Sequence, residues 1–209
     1  MSSENDKAKI LAAFGGKKGL FDSGIPALVF LLAFNITKEV SQSAFLALGL
    51  SALVTVFRLI KRETIQHALS GVIGVAICAW LSNKSGKAED FYLPGLWTNA
   101  IYGAVYSISN LIKWPIIGLV LGPLLGENLM WRKDPARRSL YIKATWVWVG
   151  LFLSRLMVQY PLYLSENVNA LGSARLIMGY PLFILAAWLT WQIVKSGPTL
   201  REDLKPKST

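Results

Sequence analysis

Residues 42–60 read QSAFLALGLSALVTVFRLI, nineteen residues with one charge, Arg58, close to the end. A helix rises about 1.5 Å per residue, and the hydrocarbon core of a bilayer is about 30 Å thick. Roughly 20 mainly apolar residues are therefore enough to cross it. The stretch reads as a transmembrane helix. Working outward, five more stretches of the same kind lie at 20–37, 65–81, 93–112, 140–161 and 172–194. The connections carry loop signals, such as Lys61-Arg62-Glu63 and the polar run from Asn83 to Asp90. The expected fold is an all-α polytopic helix bundle of six transmembrane helices. Residues 14–195 form one transmembrane domain, with polar cytoplasmic tails at 1–13 and 196–209.

Composition agrees. Of 209 residues, 53% are hydrophobic and 16% charged, with a mean hydropathy of +0.42. A soluble domain carries about 25% charged residues. The chain is basic, with 22 Lys and Arg against 12 Asp and Glu. In so apolar a chain, that charge points to an anionic membrane face rather than to nucleic acid. One cysteine, Cys78, excludes an intrachain disulfide, and one histidine, His67, excludes a His-based metal cluster.

One segment stands apart. Residues 115–130 are apolar but short, contain Pro123, and repeat glycine at 118, 122 and 126. Such a face lets another backbone come close. Lys113 precedes the segment and Arg132, Lys133, Arg137 and Arg138 follow it, so both flanks read as cytoplasmic. It is expected to be a re-entrant or interfacial helix. With six crossings and both termini cytoplasmic, seventeen of the 22 cations fall inside, three outside and two within spans. That asymmetry is an orientation signal. A seventh crossing would destroy it.

Ionisable and polar residues within a membrane are costly, and so are candidates for function. The fourth span places Asn99, Tyr102, Tyr106, Asn110 and Lys113 three or four residues apart, on one helix face. Such a stripe must face protein or water. Interhelical hydrogen bonding competes with a conduit or ligand cavity as its use. At the outer side, Trp148, Phe152, Arg155 and Gln159 share a face, and Arg175 opens the sixth span. The two arginine neighbourhoods echo each other, each running Arg-Leu and then Tyr-Pro-Leu, at Tyr160 and Tyr180. Pro161 is expected to end its helix and Pro181 to kink its own. Carbonyl-paired or snorkelling arginines compete with an anion site here. On the cytoplasmic side Asp22, Arg58, Glu63 and His67 form a candidate charge cluster, with Asp22–Arg58 the first pair to expect. Lys17 and Lys18, in a glycine-rich turn, are candidates for anionic lipid headgroups.

Catalytic motifs are missing. There is no phosphate-binding loop, no H-E-x-x-H, no G-x-S-x-G and no tight carboxylate cluster. No catalytic residue, metal ligand or cofactor is assigned.

Several stretches are nevertheless distinctive: GGKKGLFDSGIP at 15–26, QHALSG at 66–71, FYLPG at 91–95 with Asn99, and KWP at 113–115 with Gly118. They continue with Trp131-Arg132 and Asp134, then Arg155-Leu156 and QYPLY at 159–163. In this ordered set the chain resembles an actinobacterial family of uncharacterised multi-spanning membrane proteins, domain of unknown function 3159. That pattern often has two arginines before the proline, where this chain has Lys113-Trp114. The resemblance implies a bacterial inner membrane and supplies no activity.

The functional expectation is a small transporter or channel-like protein with a polar intramembrane cavity for an anionic or amphiphilic ligand. The alternative is a non-catalytic envelope scaffold or assembly factor. Expected partners are the lipid bilayer, with anionic headgroups on the cytoplasmic face, and either a second copy of the chain or another membrane protein.

Overall fold

The structure is a computed structural model that describes residues 16–60 and 65–200, with side chains for 25–57, 60 and 72–200. In chain order the helices are α1 (Gly16–Thr37), α2 (Val40–Ile60), α3 (Ile65–Ser85), α4 (Leu93–Leu111), α5 (Ile116–Leu124), α6 (Pro135–Leu164), α7 (Val168–Ile177) and α8 (Tyr180–Ser196). Short 3-10 turns occupy Ala88–Phe91 and Met130–Lys133. There is no strand among the described residues, so the all-α expectation holds.

Three helical stretches are long and apolar enough to cross a membrane: Val40–Phe57, Pro135–Leu164 and Val168–Ser196. A fourth arises if α4 and α5, bent by 79° at their junction, count as one broken span. This is fewer than the six expected. Two further apolar helical pieces, Ile25–Thr37 and Val72–Ser85, are each shorter than a span. They are the parts of α1 and α3 whose side chains are described.

Burial on these helices runs opposite to that of a water-soluble fold. On α2, Ser43, Ser51 and Thr55 are buried, while Phe45 and Leu53 are 67% and 68% exposed. On α6, Thr145 and Gln159 are buried, while Met157 is 74% exposed. Large apolar side chains are normally the ones removed from water. Contiguous exposed apolar faces of this kind suit a lipid environment.

The proline rules show where the chain departs from expectation. Pro161 does not end α6, which continues to Leu164. Proline removes its own N–H but keeps its carbonyl, and the N–H of Ser165 donates to it at 3.0 Å. The expected single helix at 172–194 is instead α7 and α8, parted at Met178-Gly179. There the N–H of Met178 closes on the carbonyl of Ala174 at 2.8 Å. Pro181 then sits in the first turn of α8, where an N–H has no helical partner to reach. At the head of α6, Asp134 caps the helix, accepting from the N–H groups of Ala136 (3.0 Å) and Arg137 (3.3 Å) through Oδ1. Pro135 follows it at the first helical position.

The described chain divides into two compact units. The first holds Met157–Tyr180 and the described residues up to Trp97. In it α2 packs against both α1 and α3, and α1 also meets α7. Its core gathers Phe30, Ala47, Phe91, Tyr92, Val168 and Leu171. The Phe30 and Phe91 rings stack at 3.9 Å, and Tyr92 meets Phe30 edge-on. The second unit holds Thr98–Leu156 and the described residues from Pro181 onward. Its largest fully buried side chains include Trp131, Tyr141, Trp148, Ile117 and Leu121.

Candidate polar site at a broken helix

The polar face of α4 is set against α6. Asn99 and Asn110 are buried, and Tyr106 is half-buried. The Tyr102 ring lies 5.5 Å from that of Phe152, and the Tyr106 ring 5.4 Å from Phe152 and 6.3 Å from Trp148. Gly103 lies on the same face. A Cβ there would make an ordinary contact with Phe152, at 3.5 Å. The Nδ2 group of Asn110 donates to the carbonyl of Ile142 at 3.1 Å. Its Oδ1 is buried with no hydrogen-bond partner among the described residues.

Just beyond Asn110 the helix breaks. Lys113 adopts a positive φ of 59°, and its N–H donates to the carbonyl of Asn110 at 3.0 Å. The N–H of Trp114 donates to the carbonyl of Ser109 at 2.8 Å. Pro115 then opens α5 at 79° to α4. Segment 115–130 resolves into a nine-residue helix and a turn, too short to cross a bilayer. Its glycines are already occupied. The Trp131 indole fills the space at Gly118 and Gly122, while Gly126 takes a positive φ of 74° in the turn that ends α5.

Arg155 is half-buried and belongs to the second unit, whereas Gln159, Arg175 and Tyr180 belong to the first. Gln159 is buried and Tyr180 half-buried. Arg175 is held by backbone. Its Nη1 donates to the carbonyl of Tyr92 at 3.2 Å, and its guanidinium carbon lies 5.5 Å from the Tyr92 ring centre. The guanidinium fills the space over Gly95, where a Cβ would collide with it. Burial raises the pKa of the Tyr92 phenol beyond its ordinary value. Lys17 and Lys18 lie within α1 and not in the expected turn; their side chains, with those of Asp22, Arg58, Glu63 and His67, lie outside the described ones.

A mixed-charge pocket of about 660 Å³ lies in the first unit, lined by Lys38, Lys87, Glu89, Glu166 and Asn169 among others. Lys87 reaches Glu166 at 3.0 Å and Glu89 at 4.0 Å. The hydrogen bond to Glu166 raises the Lys87 pKa. Nearby, Tyr163 donates to Oδ1 of Asp90 at 2.6 Å.

One buried polar cluster was not anticipated. Arg137 pairs with Glu127, with Nη2–Oε1 at 2.7 Å, and Tyr141 donates to the same carboxylate at 2.7 Å. Arg137 also donates to the carbonyls of Val194 (2.9 Å) and Pro198 (3.2 Å), tying the end of α8 to the start of α6. In sequence Arg137 is one of several cations in a basic segment. Only the return of the turn carrying Glu127 reveals its pairing.

Residues 14–200 match a family described as protein of unknown function (DUF3159). The chain belongs to that family. No curated protein and no solved structure matches it. The matched range contains the described residues of both units. It carries no assigned chemistry.

Proposed function

We propose that this DUF3159 protein is a small, non-enzymatic transporter or channel-like protein of the bacterial inner membrane, acting on an anionic or amphiphilic ligand. The reading takes α1, α2, α3, α4, α6 and the α7–α8 pair as six crossings, with both termini cytoplasmic and α5 as a re-entrant helix. The observation that carries it is the polar-faced helix that breaks at its own end. Broken helices at membrane depth expose backbone and polar groups only where they line a cavity or meet a ligand. Here the break follows directly on Asn110, whose buried carbonyl oxygen has no described partner. An unmet buried acceptor costs about 1–3 kcal/mol, a cost that a ligand hydroxyl or a water on the pathway would offset.

The scaffold alternative is weakened by the Trp131 indole, which occupies the Gly118/Gly122 face it would offer to a partner. The test is reconstitution into proteoliposomes with solid-supported-membrane current recording. Chloride, phosphate and an alkyl sulfonate are presented in turn. A current above that of empty vesicles, reduced in Asn110→Leu, supports transport. Silence with all three, together with stoichiometric co-purification of another membrane protein, favours the scaffold.

A further inference from the structure

A groove of about 400 Å³ lies in the elbow between α4 and α5. It is lined by Val105, Ile108, Ser109, Ile112, Trp114, Ile116 and Leu119. The lining is almost wholly apolar, and two cations adjoin its Trp114. The guanidinium carbon of Arg132 lies 3.6 Å from the Trp114 ring centre, stacked on the indole face. Lys113 is the residue before Trp114 and is exposed. Among the described residues neither cation is in an ion pair. The acids nearest Arg132 in sequence are already committed. Glu127 is bound by Arg137 and Tyr141, and Asp134 caps α6. The N-terminus of α5 opens at the same corner behind Pro115 without a side-chain cap. It adds the positive end of a helix dipole.

We propose that this elbow binds one anionic phospholipid of the surrounding bilayer. One acyl chain lies along the Ile108–Ile112–Leu119 groove, and the headgroup phosphate is held between Lys113 and Arg132. The complementarity is that of an amphiphile: an apolar trough with two cations beside its Trp114, neither in an ion pair among the described residues. A zwitterionic lipid fits the trough but not the charge. Inorganic phosphate fits the charge but not the trough. The Trp114 indole marks the headgroup level, as tryptophan does at membrane interfaces. The site rests on the membrane placement proposed above but not on transport. A resident lipid at the elbow would fix the angle of a helix pair that no long loop braces.

The experiment is native mass spectrometry of the detergent-purified full chain, titrated with phosphatidylglycerol or phosphatidylcholine. The wild type is expected to retain one phosphatidylglycerol in preference to phosphatidylcholine, and millimolar inorganic phosphate should not displace it. In Lys113→Asn/Arg132→Gln the preference should fall about 30-fold, since each base near an anionic headgroup contributes about fivefold. Asparagine is chosen because it tolerates the positive φ at 113. Ile108→Trp fills the groove with both cations intact, so it should also lose the bound lipid. Lys195→Gln, away from the elbow in sequence, should retain it. Equal adducts of the two lipids in the wild type, an unchanged preference in the double variant, or a protein partner in place of lipid would each overturn the site. A chain that stays in the aqueous fraction without detergent would overturn the membrane placement itself. A detergent-extracted chain with no lipid preference overturns the site alone.

Discussion

The Trp131 indole stands where Gly122 has no side chain, its Nε1 2.6 Å from the position a Cβ would take. The same indole covers Gly118 one helical turn earlier and meets Tyr141 edge-on at 5.2 Å. Trp131 is fully buried, so the turn after α5 is locked onto its own helix.

Gly122→Ala should therefore destabilise the protein by about 1–3 kcal/mol, the usual cost of overpacking. The new Cβ meets the backbone carbonyl oxygen of Asn128 at 2.5 Å as well as the indole, and backbone cannot swing aside. Gly150→Ala on α6 meets open space and should be neutral or slightly stabilising. Thermal unfolding of the two variants in detergent checks the contrast. Equal midpoints would contradict the packing.

Arg137→Met should cost about 3–5 kcal/mol, because it leaves the Glu127 carboxylate buried with only Tyr141 as a donor. Glu127→Gln with Arg137→Met should cost less than Arg137→Met alone, since the stranded charge is gone. A double-mutant cycle on chemical unfolding measures this coupling. Additive losses would mean that the pair does not interact.

Raised by burial, the Tyr92 phenol stays protonated in the folded chain at a pH where an unfolded tyrosine, with a pKa of about 10, has begun to ionise. Its contribution is complete below that pH. Above it the unfolded state binds fewer protons, and stability falls as pH rises. Tyr92→Phe should flatten this part of the stability profile between pH 9 and 11. It should leave the number of tyrosines titrating near pH 10, followed by absorbance at about 295 nm, unchanged. A lost titration step would place Tyr92 among ordinary exposed phenols.

Asn110→Leu separates function from structure. It loses the bond to the Ile142 carbonyl but also removes an unmet acceptor, so stability should change by less than about 1 kcal/mol. Flux in proteoliposomes should fall at least tenfold. A large loss of stability with no change in flux would assign Asn110 to packing alone.

The helices were legible because apolar runs mark them. Each of the six apolar stretches carries helix, and the short segment at 115–130 is a short helix. The boundaries at proline were less legible, since Pro161 sits in a last turn whose closing bond uses only its carbonyl. The face of α4 was readable from spacing, but its covering by Phe152 and Trp148 was not. Contacts made across long sequence distances left no local trace. Arg175 reaches Tyr92 across 83 residues, and Arg137 reaches the backbone of Val194 across 57. Nothing in one dimension shows that the turn carrying Trp131 folds back over two glycines.

The division of the chain bears on the order in which it is made. Phe30, Phe91 and Tyr92 leave the ribosome early, but Val168 and Leu171, which complete their cluster, belong to a segment made after Thr98–Leu156. The unit begun first is thus finished late. A nascent chain halted at Trp97 holds an open apolar core with its last wall still untranslated. That core stays unfinished while the intervening stretch is synthesised. Neither unit can be cut out as one continuous fragment. Splitting the gene at residue 97 would part α1 from α7, its packing partner, whereas coexpressing 1–97 with 98–209 would restore that wall in trans.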